Sequence, residues 1–225
     1  MTDAPVLVER RGPKLYLTLN RPEVINALTL DMLRIVDRAL DEAERDEAIR
    51  VILLQGVGER GFCAGLDTMA LAELQERGAE EGPLTFVRLT AIAKRLDSFA
   101  KPVIALIYGH VIAAGAQLAT AADVVIAGES LKLLDTELRA TGLTDESWPI
   151  RLGRTLGKLR ANRLLLLGER LDASTAQQLG LVTLVVPDDQ LIATGEGIAD
   201  RIAGYEPAAV ARTLLLVEQG AYGQR

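Results

Sequence analysis

KPVIALIYGHVIAAGAQLATAADVVIAGES, residues 101–130, carries more of the architecture than any other stretch of the chain. Its opening, PVIALIYG, is apolar, β-branched and bounded by proline and glycine, the pattern of a buried strand. Ala114, Gly115 and Ala116 then leave the backbone bare at the start of a helix predicted to reach about Ala122, and DVVIAG reads as the next strand. No Asp, Glu, Lys or Arg occurs from Pro102 to Ala122, a length that by itself would nominate a transmembrane helix. His110, Gln117, Thr120 and two glycines interrupt that run, so a buried strand leading into a buried helix explains it better.

Upstream, the same order occurs once more. VILLQG, residues 51–56, is a continuous apolar run of the kind found in parallel sheets. It is followed by the glycine-rich loop VGERGFCAGLD, ending at Asp67, a predicted N-cap for the helix TMALAELQERG. Repeated strand–loop–helix units imply a largely parallel sheet flanked by helices, an α/β fold. Earlier still, PVLVERR and LYLTLNR read as two short strands joined at Gly12-Pro13. Thr29 is placed to cap a helix with Met32, Ile35, Val36, Leu40 and Ala43 at helical spacing. A helix over about 84–98 precedes the quoted stretch. Downstream, 149–180 is mainly helical, LVTLVVP at 181–187 is one more strand, and 188–222 gives two amphipathic helices. The division expected is a core over 1–187 and a helical region over 188–225, continuous with it.

The chain has 225 residues, 49% of them hydrophobic, enough for one sizeable core. Its 25 basic and 31 acidic residues, formal charge -6, argue against a phosphate-backbone binder and favour small-molecule or protein partners, with neither nucleic acid nor membrane among them. Cys63, the single cysteine, forms no intrachain disulfide, and MTDAPVLVERR is charged too early for a signal peptide. A cytoplasmic location is expected.

Both glycine-bearing loops set bare backbone at a strand-to-helix junction, where free N–H groups favour developing negative charge. Two such loops facing one pocket would make an oxyanion hole; each alone is equally a tight packing turn. No phosphate-binding loop, no GxGxxG fingerprint and no Ser–His arrangement is present. His110, the only histidine, reads as a strand-end packing residue and cannot build a metal site without companions. Cys63 reads as a small apolar group, and Asp67 and Asp123 as caps beside helix ends. Trp148 fits either an acyl pocket or the core.

RPEVINALTLDM, GFCAGLD, the stretch 101–130 and ERLDASTAQQLGLVTLVVP at 169–187 together resemble the crotonase superfamily, the enoyl-CoA hydratases and isomerases, over about residues 5–215. The resemblance implies a ββα spiral core with a helical C-terminal region that binds acyl-CoA thioesters, with coenzyme A as part of the substrate and no separate cofactor or metal. It also implies a homotrimer or a hexamer. Carried over, the oxyanion donors are the Leu66 and Ala114 N–H groups, and backbone from Leu66 through Asp67 and Thr68 to Met69 holds the coenzyme. Gln117 is counted with the substrate-binding residues, as is Trp148 in its acyl-pocket reading.

Hydratases of this family use two glutamates, and in ungapped register those positions are Gln117 and Glu137. An amide cannot exchange a proton as a carboxyl group does. One glutamate suffices to move a double bond, so the resemblance implies acid–base work by Glu137 and favours isomerisation over hydration. Asp145, in GLTDESW, matches an aspartate of the dienoyl-CoA isomerases, and with Glu146 it could equally cap the following helix. Hydration or dehydration is one alternative. The other is a catalytically weak acyl-CoA-binding auxiliary, motivated by the incomplete acid pair and by an end at AYGQR, earlier than most relatives.

Overall fold

A computed structural model describes residues 4–67, 72, 84–141 and 147–222. Val6–Arg11 (β1) and Lys14–Leu19 (β2) pair antiparallel across the Gly12-Pro13 turn. Leu30–Arg45 (α1) follows, its N-terminus capped by the Thr29 hydroxyl accepting from Met32 N–H at 3.3 Å. Next come Val51–Gly56 (β3), Leu84–Asp97 (α2) and Val103–Ile107 (β4).

The quoted stretch then departs from the single strand expected of it. Gly109 adopts a φ of 52°, and the chain turns into a separate short strand, His110–Ile112 (β5). The helix after it, Ala114–Ala119 (α3), is shorter than expected and is succeeded by Val124–Gly128 (β6) and Lys132–Leu134 (β7). Glu137–Thr141 (α4), Ser147–Leu156 (α5) and Lys158–Leu167 (α6) form the helical stretch, and Leu171–Asp172 (β8) and Ala173–Gln178 (α7) lead to Leu184–Val186 (β9). Leu191–Ala203 (α8) and Pro207–Tyr222 (α9) close the chain.

The main sheet has the order β1-β2-β3-β4-β6-β9, parallel from β2 onward, and β5-β7-β8 form a second, small sheet. Side chains alternate across each strand. Ile52 and Leu54, with Leu17, Ala105 and Ile107, join the buried faces of α1 and α2. Their neighbours Val51, Leu53, Ile104, Leu106 and Ile126 face the other way, under Leu191 and Ala199 of α8. Among the described residues no helix is long and apolar enough to cross a membrane, and Pro102–Ala122 is a buried strand–turn–helix segment instead.

Candidate active site

The loop after β3 and the loop after β4 are laced together by backbone. Phe62 N–H donates to Tyr108 O at 3.0 Å, Cys63 N–H to His110 O at 3.2 Å and Ile112 N–H to Cys63 O at 2.9 Å. Gly115 lies where the seam is tightest. A Cβ there would stand 2.6 Å from Cys63 O, inside any real contact, so only glycine fits.

Gly65, at φ 97°, turns the first loop so that Gly65 O and Asp67 N–H bond to Leu28, at 2.8 and 2.9 Å. The Leu66 N–H between them points away from that pairing. In the second loop Ala113 takes φ 46° and ψ -112°, an unusual conformation for a residue with a side chain, and Ala114 opens α3. Among the described residues neither Leu66 N–H nor Ala114 N–H has an acceptor. The loops approach closely, since a Cβ on Gly65 would sit 3.7 Å from the Ala114 nitrogen.

Behind Ala114, one turn along α3, Gln117 is 1% exposed, and its Nε2–H donates to Glu137 Oε2 at 2.9 Å. Gln117 Oε1 has no partner among the described residues. Glu137, 5% exposed, opens α4, and its N–H donates to Asp135 Oδ1 at 2.8 Å. Trp148 is fully buried, its Nε1–H donating to Asp135 Oδ2 at 2.6 Å. Arg151, also buried, donates from Nη1 to the Gln117 carbonyl at 3.1 Å and stands 3.4 Å from Asp97.

Leu66, Ala114, Gln117 and Glu137 are therefore borne on neighbouring loops and helices of one region. Trp148 belongs to the core, linked to the site through Asp135. Thr68, Met69 and Asp145 lie outside the described residues, as does the helix that Asp67 was expected to cap. The Asp67 carboxylate accepts from Arg21 at 2.8 Å. Asp123, expected as a cap, caps none of the described helices. It accepts from Val103 N–H at 2.8 Å and so ties the start of β4 to the start of β6. Cys63 is buried, which pushes its thiol up to about 12 and keeps it an apolar S–H that donates to Asn26 O. His110 opens β5, its Nδ1 3.0 Å from Arg60 O. Among the described residues no group of His, Cys, Asp or Glu could hold a metal ion.

Sequence reasoning missed Asp135, Arg151 and Asn26. Asp135 had a readable signal, an Asp two residues ahead of a helix start, the offset of a capping turn. Asn26 is wholly buried, donating to Val57 O and Phe62 O and accepting from Arg21 N–H, and so braces the first loop. Arg151 had none, because its partners lie on other elements.

Solved structures define the class. A Pseudomonas aeruginosa protein superposes with a TM-score of 0.90 at 34% identity, covering all of this chain and 95% of that one. An enoyl-CoA hydratase from Bacillus anthracis gives 0.85 at 30% identity, over 97% and 90%. This is the crotonase-like α/β spiral. The sequence model described as Enoyl-CoA hydratase/isomerase matches residues 13–218, and the chain belongs to that family of enzymes. Its relatives divide by reaction. A short-chain-enoyl-CoA hydratase of Clostridium acetobutylicum is 31% identical over 96% of this chain and 81% of its own length. A 1,2-epoxyphenylacetyl-CoA isomerase of Escherichia coli is 36% identical over 83% and 71%.

Proposed function

We propose that the protein forms an enolate from an acyl-CoA thioester and uses it to move a double bond, with Glu137 as its acid–base group. The observation that carries this is the 2.9 Å contact in which an amide, Gln117, occupies the place beside Glu137 where hydration would call for a second carboxyl. Leu66 and Ala114 N–H groups, both without acceptors among the described residues, support a role as donors to the thioester oxygen. Removing one such donor typically costs about 2.7 to 4 kcal/mol of transition-state stabilisation.

In this reading the Glu137 carboxylate takes a proton from the α carbon of a 3-enoyl thioester. The electron pair passes into the dienolate, whose negative charge rests on the thioester oxygen. Glu137 returns the proton to the γ carbon, and the double bond has moved from C3–C4 to C2–C3. General acid–base help of this kind is worth roughly 10²- to 10⁴-fold. Glu137→Gln is therefore expected to abolish turnover of an enoyl-CoA while leaving thioester binding nearly intact. Unchanged turnover would sink the assignment.

Hydration is the second reading, favoured by the hydratase named among the relatives. Mass spectrometry in ¹⁸O-water separates the two, since hydration takes up label and isomerisation does not. We also propose assembly as a trimer or hexamer, supported by Leu159, Leu166 and Leu167 on α6, 83%, 64% and 75% exposed.

A further inference from the structure

Asp135 is a buried carboxylate, 2% exposed, that the proton transfer above does not use. Both its oxygens are taken, Oδ1 by Glu137 N–H at 2.8 Å and Oδ2 by Trp148 Nε1–H at 2.6 Å. Hydrogen bonds to an ionised acceptor are the short, strong and directional kind. Asp135 satisfies two buried donors at once, and a buried donor left without its acceptor bears its full desolvation cost. What the polar link adds is a fixed geometry. One turn beyond Trp148 on α5, Arg151 grips the Gln117 carbonyl at 3.1 Å. Positions three apart share a helix face. The same helix thus holds Glu137, by way of Asp135, and Gln117 directly.

We propose that Asp135 and Trp148 are positioning residues that set the Glu137 carboxyl against Gln117 and against the substrate's proton path. Neither touches substrate. This rests on Glu137 being the acid–base group, and the effect expected of a misplaced group is large, since an error of about 1 Å costs roughly 10²-fold in rate.

The full chain is assayed with trans-3-hexenoyl-CoA after Trp148→Phe, which keeps an aromatic ring and removes the N–H, after Asp135→Asn, and after both. Each single change is expected to lower kcat about tenfold or more with KM within about twofold, because the thioester is held elsewhere. Both variants break one link, so the double variant loses no more than the worse single one. Unchanged kcat in both singles, additive losses, or a rise in KM alone would overturn the proposal. Trp148 is the only tryptophan in the chain, so its emission reads the link without any turnover. Excitation moves electron density from the pyrrole ring towards the benzene ring, which a carboxylate at the indole N–H favours. Asp135→Asn should therefore move emission to shorter wavelength, and an unmoved spectrum also overturns the proposal. Glu137→Gln separates the two failures. If it is inactive while Trp148→Phe retains full kcat, only the positioning role is lost; if it is fully active, the acid–base assignment falls first.

Discussion

In the proposed reading the amide of Gln117, 2.9 Å from Glu137, is what turns the site from hydration toward isomerisation. Gln117→Glu would set two buried carboxyls in contact, and at that separation both cannot be ionised, so they must share a proton. That is the arrangement hydration profits from, and the variant is expected to incorporate ¹⁸O from water at a rate at least about tenfold above the parent, within the range of one added acid–base group. No gain of label would argue that Gln117 is not the discriminating residue. Asp123 gives the pH prediction. Desolvation pushes its carboxyl up to about 6, with the Asp97 charge adding to the shift and the Val103 N–H opposing it. The folded protein therefore holds this proton more tightly than the unfolded chain, whose aspartates titrate near 3.9. This contribution favours the fold at low pH and is lost as pH rises from about 4 through 6. The residue is exposed as a whole, so solvent screens the effect into a shallow slope. Asp123→Asn keeps an oxygen for Val103 N–H, and calorimetry should find the slope flatter in that variant. The pairing of Gln117 with Glu137 was legible because counting on without gaps from the 101–130 stretch carries the family's two acid positions onto these residues. The Asp135–Trp148 bond was not, because helical spacing relates residues three or four apart and these are 13 apart.

Between elements, the seam of the two loops depends on an absent side chain. Gly115→Ala would drive a Cβ into Cys63 O and Cys63 Cβ, at 2.6 and 2.8 Å, neither of which can move without shifting backbone. Such overpacking costs about 1 to 3 kcal/mol, and here it would also displace the Ala114 N–H. A lowered melting temperature together with weakened binding of a CoA thioester is the expected outcome. Gly197→Ala in α8 is the control, with nothing within 4 Å of the new Cβ and an expected gain of about 0.4 to 1 kcal/mol. Alternation of strand, glycine loop and helix makes the parallel sheet readable in the sequence. The division of residues 103–112 between two sheets was hidden, because an apolar run looks the same whether or not Gly109 turns it.

For the molecule as a whole, an exposed row of leucines on α6 is the feature that the isolated chain leaves unexplained. Leu159 and Leu167 lie about two helical turns apart on one face. Replacing both with Glu is expected to shift sedimentation from an assembly to a monomer without loss of helix content, and a monomeric parent would refute the assembly. The seam has a further consequence, for how the protein reaches its native state. Arg60 and His110, which meet across it, are 50 positions apart in sequence. Contacts of such separation form only after a long loop has been closed against its entropy. Neither loop can present its N–H group in register until β3, β4 and the segments between them have docked. With the two N–H groups as the proposed oxyanion donors, catalytic competence is expected late on the folding path, and a partly folded chain, however rich in helix, would carry half a site.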